Sequence, residues 1–391
     1  MNSDSALKSG AGNLRLDMKT LLMVADSDHD ANMLYAVGMF VPDPFIYLRI
    51  RGRNLIVLTD LEIDRARKQA RHCRAISLTQ CQQKLRRNGK KKFSLAHVVR
   101  LLLREHRVGK VLVPGNFPLG LANELRDLGV KVKPKPDGFF PKREEKTPEE
   151  VKKISAALMM AEVGLAEGIQ ALKSSKIGKN RRLVYHNAPL TSEKLRSIID
   201  TAISQASGQA SHTIVAGGVQ GCDPHEQGYG PLRANETIVL DVFPRSQKTG
   251  YFGDITRTVV KGRATEAVRK LYDTVHRGQK AAFQLMRAGM VTSKIHHAVQ
   301  ALFLKAGYRT GKVNGGMQGF FHGTGHGLGL EIHEPPRVGP TSVGTLKAGH
   351  VVTVEPGLYY PEIGGVRLED VALVTKKHPR NLTQFEKVLE V

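Results

Sequence analysis

A chain of 391 residues, of which 41% are hydrophobic, is long enough to form two domains with separate cores. No run approaches the roughly 18 consecutive apolar residues of a membrane-spanning helix, so no membrane location is expected. The formal net charge of +23 is high and makes a polyanionic partner a class to consider.

Much of this positive charge lies in one segment. Residues 61–110 contain 15 basic and 3 acidic side chains. Such a segment is typical of nucleic-acid binding, or of a solvated basic face. No base-reading motif and no interleaved aromatic side chains accompany Lys90, Lys91 and Lys92, so nucleic acid is not expected as a partner.

The N-terminal segment and the cysteines bear on the compartment. Residues 1–16 are polar and lack an apolar core segment, so no signal peptide is expected. The three cysteines, Cys73, Cys81 and Cys222, lack metal-site spacing, and their odd number disfavours a disulfide framework. These features predict a cytoplasmic protein.

The first part of the chain alternates strand and helix patterns. The predicted strands are 21–24, 45–50, 55–58, 110–115 and 130–133, and the predicted helices are 61–73, 95–106 and 119–128. The alternation predicts a small α/β domain that ends near the proline-rich stretch 134–141, and we set its limits at 1–145.

The second part, 146–391, groups its helices and strands in blocks, which indicates an α+β domain. Thr147 followed by Pro148 and two acidic residues predicts the start of a long helix that runs toward Leu172. The other predicted helices begin after Thr191 or cover 266–288 and 293–305, and the predicted strands are 212–216, 237–244, 251–260 and several from 351 onward.

Four carboxylates and one imidazole lie in apolar or glycine-rich runs of this second domain. They are Asp241, Asp254, His326, Glu355 and Glu369. A buried carboxylate must pair, lose its charge or bind a cation. Any one of these residues alone is more often structural, but together they predict a centre of two divalent ions ~3.5–4 Å apart. Oxygen donors with one imidazole suit manganese, cobalt, zinc or iron.

The spacing of the carboxylates suggests two pairs. Asp241 and Asp254 flank a turn and fit two adjacent antiparallel strands, and Glu355 and Glu369 suggest a second pair. Arg367 lies two residues before Glu369, so on one strand the two would share a face. Arg367 could therefore orient a carboxylate or bind the C-terminal side of a substrate.

Three further histidines, His225, His322 and His333, lie near these segments. A lone histidine is usually a satisfied polar residue, but several near one ligand segment favour a functional role. Alternating glycines around His326 let backbone or substrate approach closely. The lysine and hydroxyl of a phosphate-binding loop are absent from that stretch.

Five segments of the second domain occur in a characteristic order. They are 238–242 (IVLDV), 253–258 (GDITRT), 322–330 (HGTGHGLGL), 354–359 (VEPGLY) and 365–370 (GVRLED). This ordered set resembles the pita-bread metallopeptidases, specifically the proline-specific branch of Xaa-Pro aminopeptidases and Xaa-Pro dipeptidases (prolidases). Segments 35–40 (YAVGMF) and 58–60 (LTD) carry a weaker likeness to the creatinase-type N-terminal domain.

The resemblance implies an α+β pita-bread catalytic domain at 146–391, preceded by a smaller α/β creatinase-type domain at 1–145. It implies that Asp241 caps one metal, that Asp254 and Glu369 bridge both, and that His326 and Glu355 complete the second. Glu355 is then also the candidate general base.

For the remaining residues the resemblance implies that His225 and His333 shape the substrate pocket and steady the tetrahedral intermediate. His322 is implied to lie behind the ligands or to contact substrate. The implied cofactors are two divalent ions, manganese first, and the implied assembly is a homodimer.

The expected activity is hydrolysis of the Xaa-Pro bond at the N-terminus of peptides or in Xaa-Pro dipeptides. A methionine aminopeptidase is less favoured, because that branch usually lacks the first domain. Two alternatives are a metal-free creatinase-like hydrolase, which the complete ligand set opposes, and a basic non-enzymatic binding protein on the same fold.

Overall fold

The computed structural model describes residues 19–90, 92–136 and 138–391, so the prediction about residues 1–16 lies outside the described part. The chain divides into two compact units, Met1–Pro141 and Lys142–Val391, called unit 1 and unit 2 below.

Unit 1 is built on one mixed sheet. Its strands are β1 (Leu21–Ala25), β2 (Phe45–Ile50), β3 (Arg53–Leu58), β4 (Cys73–Ser77), β5 (Lys110–Val113) and β6 (Lys131–Pro134). Its helices are α1 (Ala31–Val37), α2 (Asp60–Gln69), α3 (Leu78–Arg87), α4 (Leu95–Glu105) and α5 (Leu119–Asp127). The strand order is β4-β3-β2-β1-β5-β6.

Helices cover both faces of this sheet. One apolar cluster joins strand residues to α3, α4 and α5, and a second cluster joins the opposite face to α1 and α2. Both faces are therefore buried, and the α/β class predicted for the first part of the chain is confirmed.

One region of unit 1 differs from the prediction. The helix expected at 61–73 ends at Gln69, and Cys73–Ser77 instead forms β4, which pairs in parallel with β3 at the edge of the sheet. Helix α3 then follows directly. The segment Cys73–Ser77 is short and half polar, so only its pairing with β3 identifies it as a strand.

Unit 2 contains four long helices and many short strands. The helices are α6 (Pro148–Ser174), α7 (Ser192–Gln205), α8 (Glu266–Leu285) and α9 (Thr292–Lys305). The strands are β7 (Lys176–Ile177), β8 (Leu183–Tyr185), β9 (Ala188–Pro189), β10 (Gly208–Gln209), β11 (Ile214–Gly217), β12 (Thr237–Val242), β13 (Arg245–Ser246), β14 (Ile255–Val260), β15 (Gly311–Val313), β16 (Gly316–Gln318), β17 (Gly325–Gly327), β18 (Glu334–Val338), β19 (Val351–Val354), β20 (Gly357–Tyr360), β21 (Gly364–Arg367), β22 (Asp370–Leu373) and β23 (Arg380–Asn381).

Three sheets of unit 2 carry the segments singled out in the sequence. They are β11-β12-β14, β18-β17-β19-β22-β23 and the hairpin β20-β21. An apolar core packs α8 and α9 against β19, β20, β21 and β22. The helices thus form a layer behind the strands that carry the polar residues.

Helix α6 begins where the sequence predicts. The side chain of Thr147 accepts a hydrogen bond from the backbone N–H of Glu150, and the backbone N–H of Thr147 donates to Glu150 Oε2 at 2.9 Å. This reciprocal pair satisfies two backbone donors that a helix start otherwise leaves open. The predicted helix start at Thr147 is confirmed.

Gly325, which precedes the predicted metal ligand His326, lies very close to the backbone of a neighbouring strand. A Cβ atom placed on Gly325 would lie 1.9 Å from the carbonyl oxygen of Thr353 in β19. A Cβ atom on Gly344 would meet nothing within 4 Å. Only glycine therefore lets β17 approach β19 this closely.

We expect Gly325→Ala to destabilise the protein by about 1–3 kcal/mol, because the added methyl group forces two paired strands apart. Thermal and urea unfolding measure the effect. Gly344→Ala is the matched control and is expected to unfold like the wild type. Equal stability of the two variants would contradict the close approach of β17 and β19.

Candidate metal centre

Two of the predicted ligands lie on neighbouring antiparallel strands. Asp241 is in β12, and Asp254 immediately precedes β14. The pairing places Asp241 opposite Thr256 and Val242 opposite Ile255, so both aspartates lie at the same end of the pair. The arrangement predicted for this pair is confirmed.

Glu355 and Glu369 form the second predicted pair, because β19 and β22 are antiparallel and Val354 lies opposite Asp370, next to both glutamates. The strand expected to carry both Arg367 and Glu369 differs from the prediction. The run 366–371 is not one strand: β21 ends at Arg367, opposite Gly357 of β20, and β22 begins at Asp370, opposite Val354 of β19. Glu369 lies where the chain passes from one sheet to the other, and its backbone N–H donates to the carbonyl oxygen of Thr256 at 3.1 Å. The expectation that Arg367 and Glu369 share one strand is therefore wrong.

All nine residues proposed from the sequence line one cavity of about 730 Å³. They are His225, Asp241, Asp254, His322, His326, His333, Glu355, Arg367 and Glu369. Among the described residues, Asp254, His326 and Glu369 form a tight group in which one potential ligand atom from each lies within 4.8 Å of the others. These three side chains are 2–5% exposed.

His326 presents a lone pair to this group. Its Nδ1 lies 3.2 Å from the carbonyl oxygen of Gly327, so Nδ1 carries the hydrogen and donates it. Nε2 then points without a hydrogen at Glu355 Oε1, 3.3 Å away, and at Asp254 Oδ2, 3.7 Å away. Burial, reinforced by His333, lowers the pKa of His326 to about 3, so the ring is neutral at pH 7.

Burial and mutual repulsion raise the pKa values of the clustered carboxylates. Burial, followed by repulsion from Glu369, raises the pKa of Asp254 well above its ordinary value. Burial and repulsion from Glu355 do the same to the pKa of Glu369. Burial raises the pKa of Glu355 to about 7, although Arg367 opposes this effect. At neutral pH the group therefore needs protons or cations.

The donor set fits hard divalent cations. Glu369 Oε1 is buried and has no hydrogen-bond partner within the described ranges. Lone pairs of an imidazole and of several carboxylates converge on one point, and the hydrogen atoms available there are too few to satisfy them. Cations would supply the missing positive charge, and the oxygen-rich set with one nitrogen excludes a thiolate site.

Asp241 is held by two side chains. Arg367 donates from Nη2 to Asp241 Oδ2 at 2.7 Å, and Thr256 lies 2.9 Å from Asp241 Oδ1. Arg367 is itself buried and donates from Nη1 to the hydroxyl of Tyr359 at 3.0 Å. Of the two roles left open for Arg367, these contacts favour orientation of a carboxylate.

The three other histidines differ in how their nitrogens are used. His322 Nδ1 lies 2.8 Å from the carbonyl oxygen of Gly323, and its Nε2 lies 2.9 Å from the hydroxyl of Tyr359. Both nitrogens of His322 are thus engaged by the protein, and burial lowers its pKa to about 3. The His333 ring packs edge-on against His326 with centroids 4.4 Å apart. His225 reaches the cavity from a loop after Asp223.

Three functional neighbours were not found in the sequence: Thr256, Tyr359 and Arg337. Thr256 contacts Asp241 and also lies 2.7 Å from Glu369 Oε2, so it connects the two carboxylates. Arg337 lines the cavity from β18, directly opposite His326. Thr256 and Tyr359 lie within the quoted motifs, but their roles depend on strand pairing. Arg337 lies outside the quoted motifs.

Across the described ranges, every helix is too short or too polar to span a membrane. The three cysteines, Cys73, Cys81 and Cys222, are buried free thiols.

Known proteins resemble this chain along most of its length. The sequence profile of metallopeptidase family M24 matches residues 152–376. An Xaa-Pro dipeptidase from Pyrococcus furiosus is 31% identical over 245 residues, which cover 62% of this chain and 64% of that protein. An Xaa-Pro dipeptidase from Pyrococcus horikoshii is 30% identical over 280 residues, which cover 71% of this chain and 74% of that protein.

The first of these matches thus spans slightly less than two thirds of the relative's length. Among solved structures, the X-Pro aminopeptidase from Thermotoga maritima MSB8 superposes with a TM-score of 0.80 at 20% identity, covering 96% of this chain and 98% of that chain. This similarity confirms the α+β pita-bread fold that the motifs implied.

We expect Asp254→Asn to be at least as stable as the wild type when metal is absent, because a neutral amide removes a buried like charge. Saturating manganese at 100 times its Kd is expected to stabilise the wild type by about 2.7 kcal/mol, and the variant much less. Thermal unfolding with and without manganese measures both effects. Asp273→Asn, on the exposed face of α8, is the control and should keep the full metal-induced shift. A full shift in Asp254→Asn would argue against metal binding by this carboxylate.

Proposed function

The chain belongs to metallopeptidase family M24, and we propose that it is an exopeptidase that cleaves the bond between an N-terminal residue and a following proline. The relatives named Xaa-Pro dipeptidase support this substrate class. The observation that carries the proposal is the convergence of nine residues, predicted from separate motifs, on one cavity.

We assign five residues to two divalent ions, with manganese as the first choice and cobalt, zinc or iron as alternatives. The assigned ligands are Asp241, Asp254, His326, Glu355 and Glu369. When bound, the ions supply Lewis acidity, which lowers the pKa of a water molecule and polarises the scissile carbonyl. The unsatisfied Glu369 Oε1 supports this assignment over a metal-free hydrolase.

Glu355 is our candidate for the general base. Burial raises its pKa to about 7 in the metal-free cavity, and bound cations would lower that pKa, so the carboxylate is ionised and able to accept a proton when metal is bound. In this proposal the carboxylate takes a proton from the attacking water and delivers it to the proline nitrogen as the peptide bond breaks. The position of Glu355 at the end of β19, facing the cavity, suits both transfers.

His225 and His333 are our candidates for the groups that stabilise the developing oxyanion. Both line the cavity, whereas the nitrogens of His322 are engaged by Gly323 and Tyr359. We therefore place His322 and Arg367 behind the reacting groups, where they orient Tyr359 and Asp241.

The guanidinium of Arg337 suits a dipeptide substrate, which has a free carboxylate. Arg337 lines the cavity and forms no ion pair with any described carboxylate. A guanidinium binds a carboxylate through two parallel hydrogen bonds. Arg337 thus supports the dipeptidase form of the activity over the form that acts on longer peptides.

We further propose that unit 1 is the creatinase-type domain and that the chain forms a homodimer, as the resemblance implies. The three free, buried thiols support a reducing compartment, and we propose the cytoplasm.

A substrate panel tests the proposal. With manganese we expect hydrolysis of Ala-Pro, and slower hydrolysis of Ala-Pro-amide and Ala-Pro-Ala, because these two lack a free carboxylate on the proline for Arg337 to bind. We expect no hydrolysis of Met-Ala-Ser, because it lacks proline at the second position. Release of free N-terminal residue is measured by chromatography, with chelator-treated enzyme as the control. If none of the Xaa-Pro substrates is cleaved after metal reconstitution, the proposed function is rejected. Equal rates on Ala-Pro and Ala-Pro-amide would reject the carboxylate role of Arg337.

We expect Glu355→Gln to reduce kcat by about 10²–10⁴-fold, because an amide cannot accept the proton from water. Glu362→Gln makes the same change in the exposed turn before β21 and should keep wild-type turnover. Thermal unfolding and metal content of both variants show whether fold and ligands survive. Wild-type turnover in Glu355→Gln would remove this residue from the base role.

A further inference from the structure

A second cavity lies in unit 1, at the end of the sheet where β2 turns into β3 and where β4 begins. It has a volume of about 700 Å³. Its polar lining is dominated by six basic or imidazole side chains: Arg51, Arg53, Arg71, His72, Arg74 and His106. No carboxylate is among the described residues that line it. We call it the arginine cavity.

The strand register brings two of these side chains, Arg53 and Arg74, to one face of the sheet. Arg53 and Leu55 are two residues apart on β3, and Leu55 pairs in parallel with Arg74 of β4. Leu55 packs into the core on the side of α3, α4 and α5. Because strand side chains alternate between faces, Arg53 and Arg74 project on that side as well. This is also the side on which α4 ends at His106.

The arginines of the cavity have no neutralising partners in the described part of the chain. Residues 50–110, which include the whole lining, contain four acidic side chains. Asp60 accepts a hydrogen bond from the hydroxyl of Ser77, and the other three form ion pairs elsewhere: Glu62 with Arg65, Asp64 with Arg67 at 2.9 Å, and Glu105 with Lys84 at 3.0 Å. The positive charge of the cavity is therefore concentrated and uncompensated, and a concave wall strengthens its attraction for anions.

Arg51 occupies a backbone position that favours other residues. It lies in the two-residue turn between β2 and β3 with φ of 49°, and Gly52 follows with φ of 79°. Turns of this kind prefer Asn-Gly or Gly-Gly, because a left-handed φ is unfavourable for most side chains. An arginine at this position adds a cation to the cavity at a conformational cost.

We propose that the arginine cavity binds a compact phosphate-bearing anion, a pyrophosphate or a nucleotide di- or triphosphate. Planar guanidinium groups bind phosphate oxygens through paired hydrogen bonds, which suits arginine better than lysine. The volume lies within the range of about 300–1,000 Å³ that small-ligand sites occupy. No Phe, Tyr or Trp side chain, on which the bases of a single strand could stack, is among the described residues that line the cavity. A compact anion therefore fits better than a nucleic-acid strand.

Binding of inorganic pyrophosphate to the full, manganese-loaded chain tests the proposal by calorimetry at constant ionic strength, with ADP and ATP as further probes. We expect saturable binding of one anion per chain. Arg53→Gln and Arg74→Gln should each weaken it at least about tenfold, because each removes a charged hydrogen-bond donor. Arg51→Asn should also weaken it without unfolding the protein, since asparagine suits the left-handed position.

Two comparisons separate binding in the arginine cavity from binding elsewhere on the protein. Arg87→Gln removes an exposed charge on α3 outside the cavity and should bind pyrophosphate like the wild type. Chelation of manganese by pyrophosphate is equal in all these variants, and their Ala-Pro hydrolysis reports the metal centre separately. Stronger binding of ATP than of pyrophosphate identifies a nucleotide ligand, and equal binding identifies the phosphate groups alone; either result supports the proposal.

Two results would overturn it. One is pyrophosphate binding that Arg87→Gln weakens as much as Arg74→Gln does, or that does not exceed binding of chloride. The other is binding only of a long oligonucleotide with a steep salt dependence, which would identify a diffuse nucleic-acid surface instead.

Discussion

Mutual repulsion between buried carboxylates is the constraint on which the rest of unit 2 depends. Asp254, Glu369 and Glu355 are brought together with a neutral imidazole, and the donors around them are few. Thr256 shows the shortage most clearly: its hydroxyl lies within hydrogen-bond distance of both Asp241 and Glu369 but has one hydrogen to give. Without cations, one carboxylate oxygen must carry a proton or remain unsatisfied. The site therefore destabilises the folded chain, and bound cations would offset this cost.

The surrounding fold opposes this repulsion by fixing the backbone positions of the ligands, and not by neutralising their charges. Arg257, which is buried, donates to the backbone oxygen of Glu369, to Asp370 Oδ1 and to the backbone oxygen of Phe385. These bonds fix the point where the chain changes sheets, and with it the position of Glu369. At the other strand, Gly325 lets β17 lie against β19 so that His326 and Glu355 face the same cavity. Glycine in this stretch thus allows the two strands to approach closely, and that approach positions the ligands.

The sequence predicted the site residues better than it predicted their connections. Carboxylates in apolar runs, and the histidines and the arginine close to such segments, are visible from local context, and all nine candidates line the cavity. The meaning of Thr256 depends instead on the register that puts it opposite Asp241, and register is a property of two strands. The break at Leu368 has the same origin, because 366–371 reads as one strand until its two halves pair with different partners. In unit 1, β4 was missed because pairing with β3, rather than its own pattern, makes Cys73–Ser77 a strand.

Each of the two cavities gathers side chains of like charge, negative in unit 2 and positive in unit 1. In unit 2, acidic groups are concentrated beyond what nearby donors can neutralise, and the chemistry of oxygen ligands selects divalent cations. In unit 1, guanidinium groups are concentrated while the acids of the same segment pair elsewhere, and the geometry of the guanidinium selects phosphate. A net charge of +23 spread evenly over a surface would favour any polyanion weakly. Like charges gathered in a concave site are destabilising until a ligand of opposite charge arrives, so their position, more than their number, carries the functional information.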